Sequence, residues 1–154
     1  MICRAEPSPS VKHAVLTTAR EELTVSMDMP KMWRVYTGAD GESHIAEMPF
    51  EMKPFIDVEG AHGDSTPMQR ATAIAFRTSP PGYVLDWHCA PRRQYSISLS
   101  GTAEIEVGDG TVARIEPGDV VLAEDLTGQG HITRAVGDQP RVYAIVPLAE
   151  DGAR

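Results

Sequence analysis

From Trp33 to Pro147 apolar and polar residues alternate in short runs with a period of two, the mark of half-buried strands. WRVYT (33–37) and SHIAEM (43–48) flank GADGE, a Gly- and Asp-containing connection that suits a hairpin. A looser section from Pro49 to Pro67 carries EMKPF and VEGAHGDSTP. RATAIAFRT, GYVLDWH, QYSISLS, TAEIEV, TVARI, DVVLAE, HITRAV and RVYAIVP follow, broken by PPG, APRR, SG, GDG, EPGD, LTGQG and GDQP. A helical period is almost absent. About ten strands in roughly 120 residues leave little room for helices and predict an all-β sandwich or barrel.

The two ends depart from this rhythm. Residues 1–29, with MICRAEPSPS and a short helical pattern in VKHAVLTTAREEL, read as a flexible N-terminal extension or an upstream start. The alternative is an ordered arm that packs on a partner subunit. Residues 30–149 read as one β domain, and residues 150–154 as a polar tail.

Composition narrows the partners. Of the 154 residues 42% are hydrophobic and 23% charged, which is ordinary for a globular domain able to bury a core. Fourteen Lys and Arg against 22 Asp and Glu leave a net charge of −8. With no basic cluster beyond Arg92–Arg93, neither nucleic acid nor an anionic membrane is an expected partner. The two cysteines, Cys3 and Cys89, form no CxxC pair, and no disulfide is expected. Reduced thiols, no membrane-length apolar run and no sustained apolar leader point to a cytoplasmic protein.

Residues 82–101 carry the most specific signal. Gly82 is followed by YVLDW, then His88-Cys89-Ala90, then PRR, Gln94, YSISLS and Gly101. This spacing resembles the first motif of the cupin superfamily: Gly, five residues, His-x-His, three or four residues, Glu, six residues, Gly. Two of the three ligand letters differ here, Ala90 for the second His and Gln94 for the Glu. A looser match to the second motif follows, in which Gly118 precedes DVVLA, Glu124 stands in place of the usual Pro, and His131 closes a lengthened turn. The resemblance covers roughly residues 70–147. It implies a cupin-type jelly-roll β-barrel with a small-molecule site inside, and a centre of three His and one carboxylate that binds a transition metal.

Strand alternation assigns faces to these residues. Gln94, Ser96 and Ser98 share the face that corresponds to the cupin ligand face, while Tyr95, Ile97 and Leu99 share the other. A polar, roomy interior follows, with His88 and His131 on opposite walls. Glu124 alternates with Val120 and Leu122 and is expected to face inward near the mouth, where desolvation would raise its pKa. Asp125, His44 and His62 are weaker substitutes for it as a ligand. Asp86 has the parity of His88 and is read either as an acceptor that orients that ring or as a surface acid. Arg92 and Arg93 are candidates to fork onto a substrate carboxylate or enolate, against the alternative of surface ion pairs. Trp87, Tyr95 and Cys89 are expected to face outward.

Two chemistries stay open. A metal bound by His88, His131 and Gln94, with Glu124 as carboxylate, would be Fe, Mn, Ni, Cu or Zn and would suit an oxygenase, isomerase or lyase. With no cofactor, His88, His131 and Glu124 would act as acid and base in a cyclase, isomerase or decarboxylase, with Gln94, Ser96, Ser98, Arg92 and Arg93 binding the substrate. A non-catalytic binder of a small metabolite is the rival from another class, and a solid barrel without a cavity is the third. A homodimer is expected, covering the outer apolar face, with WRVYT pairing to the partner's sheet.

Overall fold

The structure is a computed structural model that describes residues 29–150. The expectations for residues 1–28 and 151–154, and for Cys3, lie outside the described residues. Within them every regular element is a strand. These are β1 (Met32–Thr37), β2 (Ser43–Met48), β3 (Lys53–Ile56), β4 (His62–Ser65), β5 (Ala75–Ser79), β6 (Val84–His88), β7 (Gln94–Ser100), β8 (Thr102–Val107), β9 (Val112–Ile115), β10 (Val120–Glu124), β11 (His131–Val136) and β12 (Arg141–Pro147).

Two sheets carry the architecture. One has six strands in the order β2-β1-β10-β7-β12-β5, and the other four in the order β6-β11-β8-β9. Their ladders do not join, so in place of a closed barrel the two sheets form an open sandwich consistent with the expected jelly roll. In the looser section, β3 and β4 form a separate exposed hairpin.

The β1–β2 hairpin closes as its sequence predicts: the Gly38 amide donates to the Glu42 carbonyl at 2.8 Å, and Gly41 takes a positive φ. The expected pairing of WRVYT with a partner's sheet is corrected, because β1 lies inside its own chain's sheet, antiparallel to β2 and parallel to β10. Asp119 makes that parallel junction. Its buried carboxylate accepts from the Lys31 amide at 2.8 Å and from the Glu116 amide at 2.9 Å, tying the entry of β1 to the EPGD turn.

The sandwich is filled at one end. Val35 and Val121 from the large sheet interdigitate with Ala103, Ile105, Val107, Ala113 and Ile115 from the small one. Val35, Ile115 and Val107 are almost completely buried, and each contributes roughly 1.5–3 kcal/mol of hydrophobic stabilisation. At the other end, between β5, β7 and β12 on one side and β6 and β11 on the other, side chains are more polar and the interior is hollow.

Candidate functional site

The hollow end encloses a cavity of about 100 Å³, lined by residues from both sheets. Gln94 and Ser96 come from β7, where alternation places them inward, as the sequence predicts. Ser98, two positions further along that face, is buried but does not line the cavity, and its hydroxyl has no hydrogen-bond partner among the described residues.

His88 and His131 both line the cavity, but not from opposite walls. They are direct partners in the β6–β11 ladder, with ring centroids 4.3 Å apart and planes tilted by 56°. Gly130 makes this approach possible. A Cβ there would sit 2.1 Å from the His88 carbonyl oxygen, and its φ of +80° lies in the left-handed region that favours glycine. The chain can therefore bring the next residue, His131, against His88.

The hydrogen bonds orient both rings. His88 Nδ1 lies 2.7 Å from the Asp86 carbonyl, which can only accept, so Nδ1 carries the proton. Asp86 thus orients His88 through its backbone, while its carboxylate accepts from the Trp87 amide. His131 Nδ1 lies 2.7 Å from Asp125 Oδ2. Asp125 is completely buried and also accepts from the Ser43 hydroxyl at 2.9 Å, while its Oδ1 has no partner among the described residues. These contacts engage Nδ1 of each imidazole and leave Nε2 as the nitrogen available to a ligand. Burial holds the pKa of His88 below 6.5; its bond to the Asp86 carbonyl opposes that shift and neighbouring His131 adds to it.

Glu124 is a correction. Val121 and Ala123 line the cavity, whereas Val120 and Leu122 line a groove on the outer face of the large sheet, so Glu124 shares the outward parity. Its carboxylate is held by Arg34 and, at 2.9 Å, by Arg93. It is a paired, mostly buried acid that does not line the cavity. Arg93 is engaged in that pair and lines the outer groove, and Arg92 is exposed. Neither lines the cavity. His44 pairs with Asp40 at the tip of the β1–β2 hairpin, and His62 bonds the Gly60 carbonyl. Tyr95 and Ile97 line the outer groove, Leu99 is half exposed on the same face, and Cys89 bonds the Gly128 carbonyl.

The metal set implied by the resemblance is therefore not assembled. His88 and His131 would need a third anionic or imidazole donor, yet Ala90 offers none, Gln94 offers a neutral amide, and Glu124 points elsewhere. Among the described residues no three His, Cys, Asp or Glu come together to hold an ion. A buried guanidinium in the same cavity, Arg141, adds a positive charge that opposes a cation. The donor set does not fit a divalent transition metal.

Sequence reasoning misses two groups that matter here: it ranks Asp125 below Glu124 and does not single out Arg141. The signal for Arg141 lies in RVYAIVP, where it alternates in phase with Tyr143 and Ile145, and all three line the cavity.

No family model and no curated protein matches this chain. Several solved structures are similar in architecture. One is an uncharacterized conserved protein with a double-stranded beta-helix domain from Klebsiella pneumoniae, at 23% identity over 68% of this chain and 85% of that one, with a TM-score of 0.42. Another is an RmlC-like cupin protein from Desulfovibrio desulfuricans, at 17% identity over 90% and 98%, with a TM-score of 0.37. A third is the DMSP lyase DddQ from Ruegeria pomeroyi, at 18% identity over 79% of this chain and 58% of that one, with a TM-score of 0.44.

Proposed function

We propose that this cupin-type jelly roll performs proton-transfer chemistry, of the isomerase or lyase type, on a small molecule held between its sheets. His131 is the acid–base residue and Asp125 its positioning residue. The observation that carries the reading is the buried 2.7 Å contact between His131 Nδ1 and Asp125 Oδ2. A carboxylate there fixes the ring tautomer with the Nε2 lone pair toward substrate, and it stabilises the imidazolium that forms when Nε2 takes a proton.

His88 complements it. Its pKa is held below 6.5, so it is largely neutral at pH 7 and does not compete for charge with the neighbouring imidazolium. In a proton abstraction the C–H proton passes to His131 Nε2 and the electron pair moves onto the adjacent carbonyl oxygen. For an α-hydroxy carbonyl, transfer of the neighbouring hydroxyl proton to that oxygen and return of the abstracted proton from Nε2 to the former carbonyl carbon complete an isomerisation.

Deuterium wash-in tests the reading while the natural substrate is still unidentified. The protein is incubated in D₂O with small carbonyl compounds, such as pyruvate and dihydroxyacetone, and exchange at carbon is followed by NMR. Exchange above the buffer rate that is lost in His131→Gln is the expected result. Exchange that persists in that variant, or none with any compound, overturns the reading and leaves a binding domain.

A further inference from the structure

We infer that the ligand of this cavity is a small organic carboxylate, and that Arg141 is the residue that binds its carboxylate group. This rests on the reading of the cavity as the functional site and names the class of molecule it takes.

Arg141 opens β12 with only 6% of its surface exposed. One guanidinium nitrogen, Nη2, reaches the Ser96 hydroxyl at 3.3 Å, and the group stacks over the Tyr143 ring at 4.0 Å. Among the described residues its buried Nε has no partner, and no carboxylate pairs with the group. Arg34, Arg93, Arg114 and Arg134, by contrast, each have a glutamate. A buried guanidinium without a counter-charge is costly, because it has left water and gained neither a charge partner nor a full set of acceptors. Desolvation accordingly pulls its pKa below the ordinary arginine value.

A planar donor fork beside a hollow matches a planar carboxylate in shape as well as in sign. Stacking on Tyr143 and the bond to Ser96 hold the fork in one orientation. Arg77, exposed on β5, also lines the cavity and adds a second positive charge on the same side, since its strand position is opposite Tyr143. The volume limits the ligand. About 100 Å³ is well below the ~300–1,000 Å³ typical of sites for drug-sized molecules, so the acid has only a few heavy atoms. In this arrangement the guanidinium fixes one end of the acid while the imidazoles meet the rest of it. The positive charge also stabilises an enolate formed next to the carboxylate.

The test compares acetate with acetamide, its neutral counterpart of the same shape, by thermal shift and by NMR of the His88 and His131 imidazoles in the full chain. Acetate should raise Tm saturably and move both ring signals, and acetamide at equal concentration should do neither. Arg141→Gln should weaken acetate at least tenfold, and Arg141→Lys should retain part of the affinity. Equal responses to acetate and acetamide, or a response to acetate matched by chloride at the same ionic strength, would overturn the inference even if Arg141→Gln failed to fold. Acetate affinity unchanged in a folded Arg141→Gln would overturn it too. Acetate binding requires no proton transfer, so it should survive in His131→Gln. In the wild-type protein, absence of deuterium exchange with acetate binding intact therefore defeats only the acid–base reading, and exchange without acetate selectivity defeats only this one.

Discussion

His88 and His131 face each other across one rung of the β6–β11 ladder, with ring centroids 4.3 Å apart. Two imidazoles so close repel when both are charged, and burial already disfavours the charged form of His88. NMR titration should therefore give His88 a midpoint below 6.5. From 6.5 down to that midpoint the unfolded chain binds a proton that the native chain does not. The stability owed to the neutral ring is complete above this window and falls as pH drops through it. His88→Gln should flatten the decline in chemical-denaturation stability over that range. A His88 midpoint at or above 6.5 would contradict the assignment.

Asp125→Asn removes the anion that receives both His131 Nδ1 and the Ser43 hydroxyl. The buried amide can replace one acceptor contact but not the charge, so a loss of about 1–3 kcal/mol is expected in urea unfolding. The ¹⁵N shifts of His131 should move toward a mixture of tautomers, a change that a purely structural carboxylate would not produce. Deuterium exchange should fall together with that shift.

Glu124→Gln separates the outer face from the cavity. The partly exposed pairs with Arg34 and Arg93 are worth about 0–1 kcal/mol each, so a modest loss of stability is expected. Deuterium exchange and acetate affinity should be unchanged. A tenfold drop in exchange would return Glu124 to the site.

Metal content follows from the donor set. Untagged protein should carry well below one equivalent of any transition metal by elemental analysis, and a chelator should leave Tm and exchange unchanged. Stoichiometric metal that disappears in both His88→Ala and His131→Ala would require a ligand set other than the one described.

Much of the fold is legible in the sequence because turn chemistry and period-two alternation agree along the chain. QYSISLS, HITRAV and RVYAIVP form β7, β11 and β12 almost residue for residue. Gln94 and Ser96 fall where alternation puts them because β7 carries polar residues on one face only. Glu124 does not, because VVLA is apolar on both faces, with Val121 and Ala123 turned to the cavity and Val120 and Leu122 to the outer groove. Alternation there gives two faces without saying which is inside. Asp125 is hard to read because it lies just past the end of β10, where strand parity no longer applies. The side-by-side placement of the histidines depends on ladder register and on the close passage of Gly130, and neither is encoded as a local pattern.

Ile105 and Val121 belong both to the packed cluster and to the wall of the hollow, so they form a partition between the two ends. Shortening either would lengthen the chamber only by eroding the scaffold, at about 0.5–1.5 kcal/mol for Ile105→Val. The size of molecule this protein can admit is thus tethered to how firmly it holds together, and a roomier descendant would first have to become a sturdier one.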